Sequence, residues 1–88
     1  MERPHGYESI TKLDISDLSF RSLTKLPSWL SECKKLEYLN CSFNKITQID
    51  NLPIGLKGLQ CYYNNITDLN NLPLTLKKLY CTRIKIKN

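Results

Sequence analysis

Leu39–Thr47 reads LNCSFNKIT and Leu59–Thr67 reads LQCYYNNIT. The two stretches share Leu, Cys, Asn, Ile and Thr at the same offsets, and Cys81 follows Cys61 by the step that separates Cys61 from Cys41. Such a metre has to be followed outward before any secondary structure is assigned, because a repeat array folds as stacked units. Outward from the cysteines, Leu36, Leu39, Cys41, Asn44, Ile46, Ile49, Leu52 and Pro53 are matched by Leu56, Leu59, Cys61, Asn64, Ile66, Leu69, Leu72 and Pro73. A third copy runs through Leu76, Leu79, Cys81, Ile84 and Ile86. An earlier one runs through Ile10, Leu13, Ile15, Leu18, Phe20, Leu23, Leu26 and Pro27; it is longer, and this alignment puts its extra residues after Pro27, in SWLSECKK.

Within each unit L-x-C alternates with period two, which puts Leu39 and Cys41 on one side of a very short strand and Tyr38, Asn40 and Ser42 on the other. One such strand cannot bury its apolar side alone, so successive units stack into a parallel ladder with strands about 4.8 Å apart. Asn44 and Asn64 fall in the turn that follows, where an amide side chain can both donate to and accept from stranded backbone groups. The return segments ITQIDNLPIG and ITDLNNLPLT each contain a proline and are too short for a loop plus a full helix, so extended or polyproline-like chain is expected. In the longer first unit Ser28 is expected to cap a short helix, with Leu30 and Cys33 on one face and Glu32 in its early turn. Trp29 is expected to pack beneath the N-terminal end. Leu18 and Ile84 replace the turn asparagine and mark terminal units in which an apolar residue closes the column.

The spacing L-x-x-L-x-C-x-x-N-x-I, spread over residues 10–88, resembles the leucine-rich-repeat signature. Its short units with an L-P-x-x-L convex side are similar to those of bacterial effector proteins and of giant DNA viruses of amoebae. The resemblance implies a right-handed α/β solenoid: a short parallel β-sheet on the concave face, a mostly extended or irregular convex side, and one short helix after the first repeat. It divides the chain into an N-terminal arm, residues 1–9, and a repeat domain, residues 10–88, with units 10–35, 36–55, 56–75 and a partial 76–88. It also implies a binding scaffold, without naming what is bound.

The 88 residues suffice for one domain, and a domain of this size hides only about 60% of the surface its unfolded chain exposes. No apolar run approaches the roughly 20 residues that span a bilayer, so no membrane partner is expected. MERPHGYESI lacks the apolar core of a signal peptide. The expected location is therefore the cytoplasm, that of a host cell if the chain is viral or a secreted effector, with the cysteines reduced. Residues 1–70 hold as many acidic as basic side chains. The net charge of +5 thus comes from Lys77, Lys78, Arg83, Lys85 and Lys87. At an exposed C-terminal sheet edge these charges would discourage pairing with other chains; a homodimer through that edge is the rival reading.

The cysteine metre does not read as a metal site. Structural zinc needs four ligands converging at about 2.0–2.3 Å, whereas Cys41, Cys61 and Cys81 fall on one side of successive strands with parallel side chains. Neighbouring Cβ atoms at the strand spacing are farther apart than the roughly 3.8 Å mean of a disulfide, so the three are read as small buried hydrophobes. His5 lies in the arm without a cysteine or carboxylate motif around it and reads as a solvated residue. No nucleophile and base share a motif and no glycine-rich loop occurs, so neither catalysis nor a cofactor is expected. The sequons at Asn40 and Asn65 matter only in a secretory compartment and are read as coincidental.

The other side of the strands is more informative. Its positions form columns: Lys12, Tyr38, Gly58, Lys78; Asp14, Asn40, Gln60, Tyr80; Ser16, Ser42, Tyr62, Thr82; and at the turn Asp17, Phe43, Tyr63, Arg83. Tyrosines among small polar residues give large contact area at low entropy cost. The expected partner-binding residues are therefore Tyr38, Asn40, Phe43, Gln60, Tyr62, Tyr63, Tyr80 and Arg83. The residues expected here serve a non-enzymatic protein-interaction module that takes a protein or peptide on its concave sheet. The alternative is single-stranded nucleic acid or RNA, bound by the same aromatics beside the basic C-terminal end. Phe43 and Tyr63 are read either as binding residues or as a pair stacked on each other.

Overall fold

The computed structural model describes residues 2–17 and 23–81. Four three-residue strands, β1 (Lys12–Asp14), β2 (Tyr38–Asn40), β3 (Gly58–Gln60) and β4 (Lys78–Tyr80), form one parallel sheet in the order β1-β2-β3-β4. The register pairs Leu13 with Leu39, Leu39 with Leu59 and Leu59 with Leu79, so each repeat is one rung. Ladder bonds continue past the strands: the Ile15, Cys41 and Cys61 N–H groups each donate at 2.8 Å, to Asn40, Gln60 and Tyr80. At the leading ends the carbonyls of Thr11, Glu37 and Lys57 each accept two N–H groups from the next unit. The hydrogen bonding of one rung is therefore completed by its neighbour, as a stacked array requires.

Leu36, Leu39, Cys41, Ile46 and Ile49 of one unit and Leu56, Leu59, Cys61 and Ile66 of the next are buried. Burial falls off at β4, where Leu79 is 38% exposed against 2% for Leu39; β4 is the last strand of the sheet among the described residues.

Asn44 and Asn64 bind the stack from inside. Asn64 Oδ1 accepts the Ile46 N–H at 3.0 Å, and its Nδ2 donates to the carbonyls of Cys41 (3.0 Å), Cys61 (3.2 Å) and Tyr62 (3.2 Å). Asn44 repeats the pattern one rung earlier, accepting from Leu23 and donating to Ile15, Cys41 and Ser42. The residue before each asparagine turns the chain inward in the left-handed region, Phe43 at φ 60° and Tyr63 at φ 55°. A bulky side chain there costs about 1–3 kcal/mol, offset by the bonds that the following asparagine then makes, its two amide protons shared among three carbonyls.

These bonds correct the alignment of the first unit. Lys45 N–H donates to Leu23 as Asn65 N–H donates to Ile46, and Leu23 N–H meets Asn44 as Ile46 N–H meets Asn64. Leu23 thus occupies the place of Ile46, not that of Ile49. At the other end Leu36 N–H donates to Cys33 as Leu56 does to Pro53 and Leu76 to Pro73, so Cys33, not Pro27, is the counterpart of Pro53. The extra residues are divided: part falls between Asp17 and Leu23, part between Leu26 and Leu36. Leu18, Phe20 and Ile84 lie outside the described residues.

The helix after the first repeat is a 3-10 helix, Ser28–Glu32, which buries Trp29 and Leu30. Ser28 does not cap it; Pro27 holds the capping position with extended backbone and no side-chain bond. Glu32 closes the helix rather than opening it, and its carboxylate accepts from Arg3 at 2.9 Å. Arg3 in turn lies 4.1 Å from the centroid of the Tyr7 ring, and Tyr7 packs on the core. The N-terminal arm is laid against the first unit, while His5 stays exposed.

Candidate partner-binding face

The strand residues that point away from the core line an open groove of about 360 Å³ on the concave side. Its floor is set by a glycine. A Cβ on Gly58 would stand 2.8 Å from Tyr38 Cδ1, so the Tyr38 ring lies across β3 where a side chain would otherwise be. Tyr38 is 42% exposed; its ring position is fixed from below by Gly58 and flanked by the Lys12 ammonium, 6.0 Å from the centroid.

Along the second column Asn40 is half buried, with Oδ1 accepting the Ser42 N–H at 3.1 Å, and Gln60 is exposed. Asp14 holds both the N–H and the hydroxyl of Ser16. Tyr80 and Tyr62 meet obliquely, centroids 6.2 Å apart. Beyond them Phe43 and Tyr63 stack at 5.0 Å with planes 11° apart, each with one side of its ring left accessible. The structure thus brings Tyr38, Asn40, Gln60 and Tyr80 to one groove, with Tyr62 leaning on Tyr80. Phe43 and Tyr63 form a separate pair at the trailing ends of the strands. Thr82 and Arg83 lie outside the described residues, as do Lys85 and Lys87.

Ser42 departs from its expected place. It is buried, and its hydroxyl accepts the Tyr62 N–H at 3.0 Å, because the chain is already turning inward there. Gly58, assigned to a column but given no role, is what orients Tyr38. A glycine in register reads as a blank unless the neighbouring ring is considered.

The cysteines divide into two kinds. Cys33 and Cys41 are buried thiols. Burial pushes the Cys41 thiol up to about 12, and burial with the nearby Glu32 carboxylate raises Cys33, outweighing Arg3. Cys61 and Cys81 are joined as a disulfide, against the expectation that all four are reduced. The reason is geometric: these residues follow their strands, and a Cα separation of 5.0 Å lies inside the range a disulfide spans once the side chains lean together. On the leading side Lys57 and Glu37 pair at 3.0 Å, and the carboxylate holds the ammonium above its ordinary range. No group of three or more His, Cys, Asp or Glu gathers among the described residues, and no helix there is long and apolar enough to cross a membrane.

No curated protein and no solved structure matches the chain. A family model described as leucine-rich repeats in two copies does, over residues 8–53, more than half of the length. Repeats of this family generally mediate contacts between proteins and are typically not enzymes. With the rung register, the asparagine ladder and this match together, the chain belongs to the leucine-rich-repeat family.

Proposed function

We propose that the concave face is the binding surface of a non-enzymatic interaction module and that its ligand is a protein or peptide segment laid across β2, β3 and β4. The observation that carries the reading is the fixed ring of Tyr38 over Gly58 at the centre of the groove. A ring held in place before the partner arrives loses little side-chain entropy on binding, which is where aromatic anchors gain over flexible side chains. Tyr62 and Tyr80 support each other in the same sense. Asn40 and Gln60 supply hydrogen bonds between the anchors.

Capture of proteins from the source cell by the immobilised chain tests this, with the Tyr62→Ala/Tyr80→Ala double variant as comparison. The variant should lose the captured protein while its melting temperature falls by less than about 5 °C. Equal capture by both would remove the concave face from the reading. A large fall in melting temperature would make the two rings structural.

A further inference from the structure

A second surface lies at the leading ends of the strands. With Cys33, Pro53 and Pro73 equivalent, Lys34, Ile54 and Leu74 form one column of turn positions and Lys35, Gly55 and Thr75 the next. The Thr75 hydroxyl lies 2.6 Å from the Ile54 carbonyl and 2.8 Å from that of Leu56 and shares its one proton between them, which ties one turn to the other. At the crests Ile54 is 83% and Leu74 105% exposed. One exposed aliphatic side chain is ordinary; two at the same crest of adjacent, mutually bonded turns form a strip.

Beside the strip is an open depression lined by Lys34, Lys35, Lys57 and Lys77 with a single carboxylate, Glu37, already bonded to Lys57. Lys12 and Lys78 begin β1 and β4 at the same end. The sequence puts the positive excess at the C-terminus; the fold adds Lys34 and Lys35, from the first unit, to Lys77.

We propose that this edge docks on an anionic lipid surface, with Ile54 and Leu74 entering the interfacial layer and Lys34, Lys35 and Lys77 meeting acidic headgroups. Shape and charge choose the occupant. Two protruding crests would need two fitted pockets on a protein, whereas the headgroup boundary yields to a protruding apolar chain. Lysines immediately around such an insertion are drawn to acidic lipid. The backbone N–H groups of residues 37, 38, 57, 58, 77 and 78 at this end are spent on the neighbouring rung, so the lysine side chains supply the attraction. No membrane partner was expected because no apolar run is long enough to span, but docking by a strip needs no span. The concave groove stays open, so this inference stands apart from the reading of that face.

Co-sedimentation with vesicles of equal parts phosphatidylcholine and phosphatidylserine, against phosphatidylcholine alone, tests it. The chain should partition onto the acidic vesicles, with neutral vesicles and Lys34→Glu/Lys35→Glu each weakening binding about tenfold or more. Ile54→Ser/Leu74→Ser should weaken it about tenfold as well, and Tyr62→Ala/Tyr80→Ala should leave it unchanged. If the double serine variant loses cooperative unfolding, Leu74→Ser alone, at the most exposed crest, carries the test. Equal binding to both vesicles, or undiminished binding by the serine variants, overturns the proposal. So does a dimer by light scattering that Ile54→Ser/Leu74→Ser dissolves, since a second copy would then cover the crests.

Discussion

Replacing Asn64 by Ala removes the amide that ties the second and third units, and the cost follows bond by bond. The Ile46 N–H loses its acceptor and the Cys61 carbonyl its donor, while the Cys41 and Tyr62 carbonyls keep Asn44 Nδ2 and the Phe43 N–H. Two buried backbone groups left without partners among the described residues, at about 1–3 kcal/mol each, give a loss of about 3–4 kcal/mol. A chain of 88 residues has about 4–13 kcal/mol in total, so the variant sits near the limit of folding. With a urea slope of about 1 kcal/mol/M for so small a protein, the midpoint should fall by about 3 M. Equilibrium urea unfolding followed by the fluorescence of buried Trp29 measures it. Asn65→Ala, one position on, should stay within about 0.5 kcal/mol. Asn64→Asp sharpens the test: it keeps the acceptor for Ile46 but turns a carboxylate oxygen toward three carbonyls. It should be worse than Ala at neutral pH and improve on acidification, when the protonated acid can donate. A loss below about 1 kcal/mol for Asn64→Ala, or no pH dependence specific to Asn64→Asp, would refute the ladder as the source of cohesion between units.

Two further outcomes follow from the described geometry. Cys41, held near 12 in the fold against 9.0 in the open chain, keeps a proton that the unfolded chain releases. Its contribution is therefore complete below about pH 9 and lost as pH rises toward 12, at about 1.4 kcal/mol per unit inside that window. Urea midpoints at pH 8 and 10 should drop more in the wild type than in Cys41→Ala, and parallel drops would contradict the assignment. Gly58→Ala sets a Cβ against Tyr38 Cδ1 at 2.8 Å, so the ring must leave its place. Stability should change by only about 1 kcal/mol either way, since lower unfolded-state entropy offsets the displaced rotamer. The ring signals of Tyr38 in NMR spectra should move. Unmoved signals would mean that the ring does not rest on the glycine.

The rungs were legible in the sequence because Leu39, Cys41, Asn44 and Ile46 recur as Leu59, Cys61, Asn64 and Ile66, and a fixed offset in a parallel array becomes a fixed neighbour. The first unit was misaligned for the same reason in reverse. Phe20, Leu23 and Leu26 are apolar and three apart, as are Ile46, Ile49 and Leu52, so Leu23 can stand opposite Ile49 or Ile46 until the bonds to Asn44 and Lys45 decide. The Cys61–Cys81 bond was missed because side chains one strand spacing apart were taken as parallel, whereas at a Cα separation of 5.0 Å they can lean together. At the groove the columns were right for Tyr38, Asn40, Gln60 and Tyr80, since period-two alternation holds within β2, β3 and β4. It fails at Ser42, where the turn has begun. The crest strip was not read as a surface: Ile54 and Leu74 share one offset of ITQIDNLPIG and ITDLNNLPLT, but their exposure and their place beside Lys34 and Lys35 show only once the units are stacked.

The carbonyl of Cys41 accepts from both Asn44 and Asn64. The two middle units, 36–55 and 56–75, therefore each carry a plug and present a socket, and the connector does not depend on how many such units lie between the ends. A duplicated copy of residues 36–55 inserted after Gly55 would find a socket in Cys41 and offer one in turn. Length is then a parameter that can be set: each added copy would extend the concave groove by one strand spacing, about 4.8 Å, with the wiring between rungs unaltered.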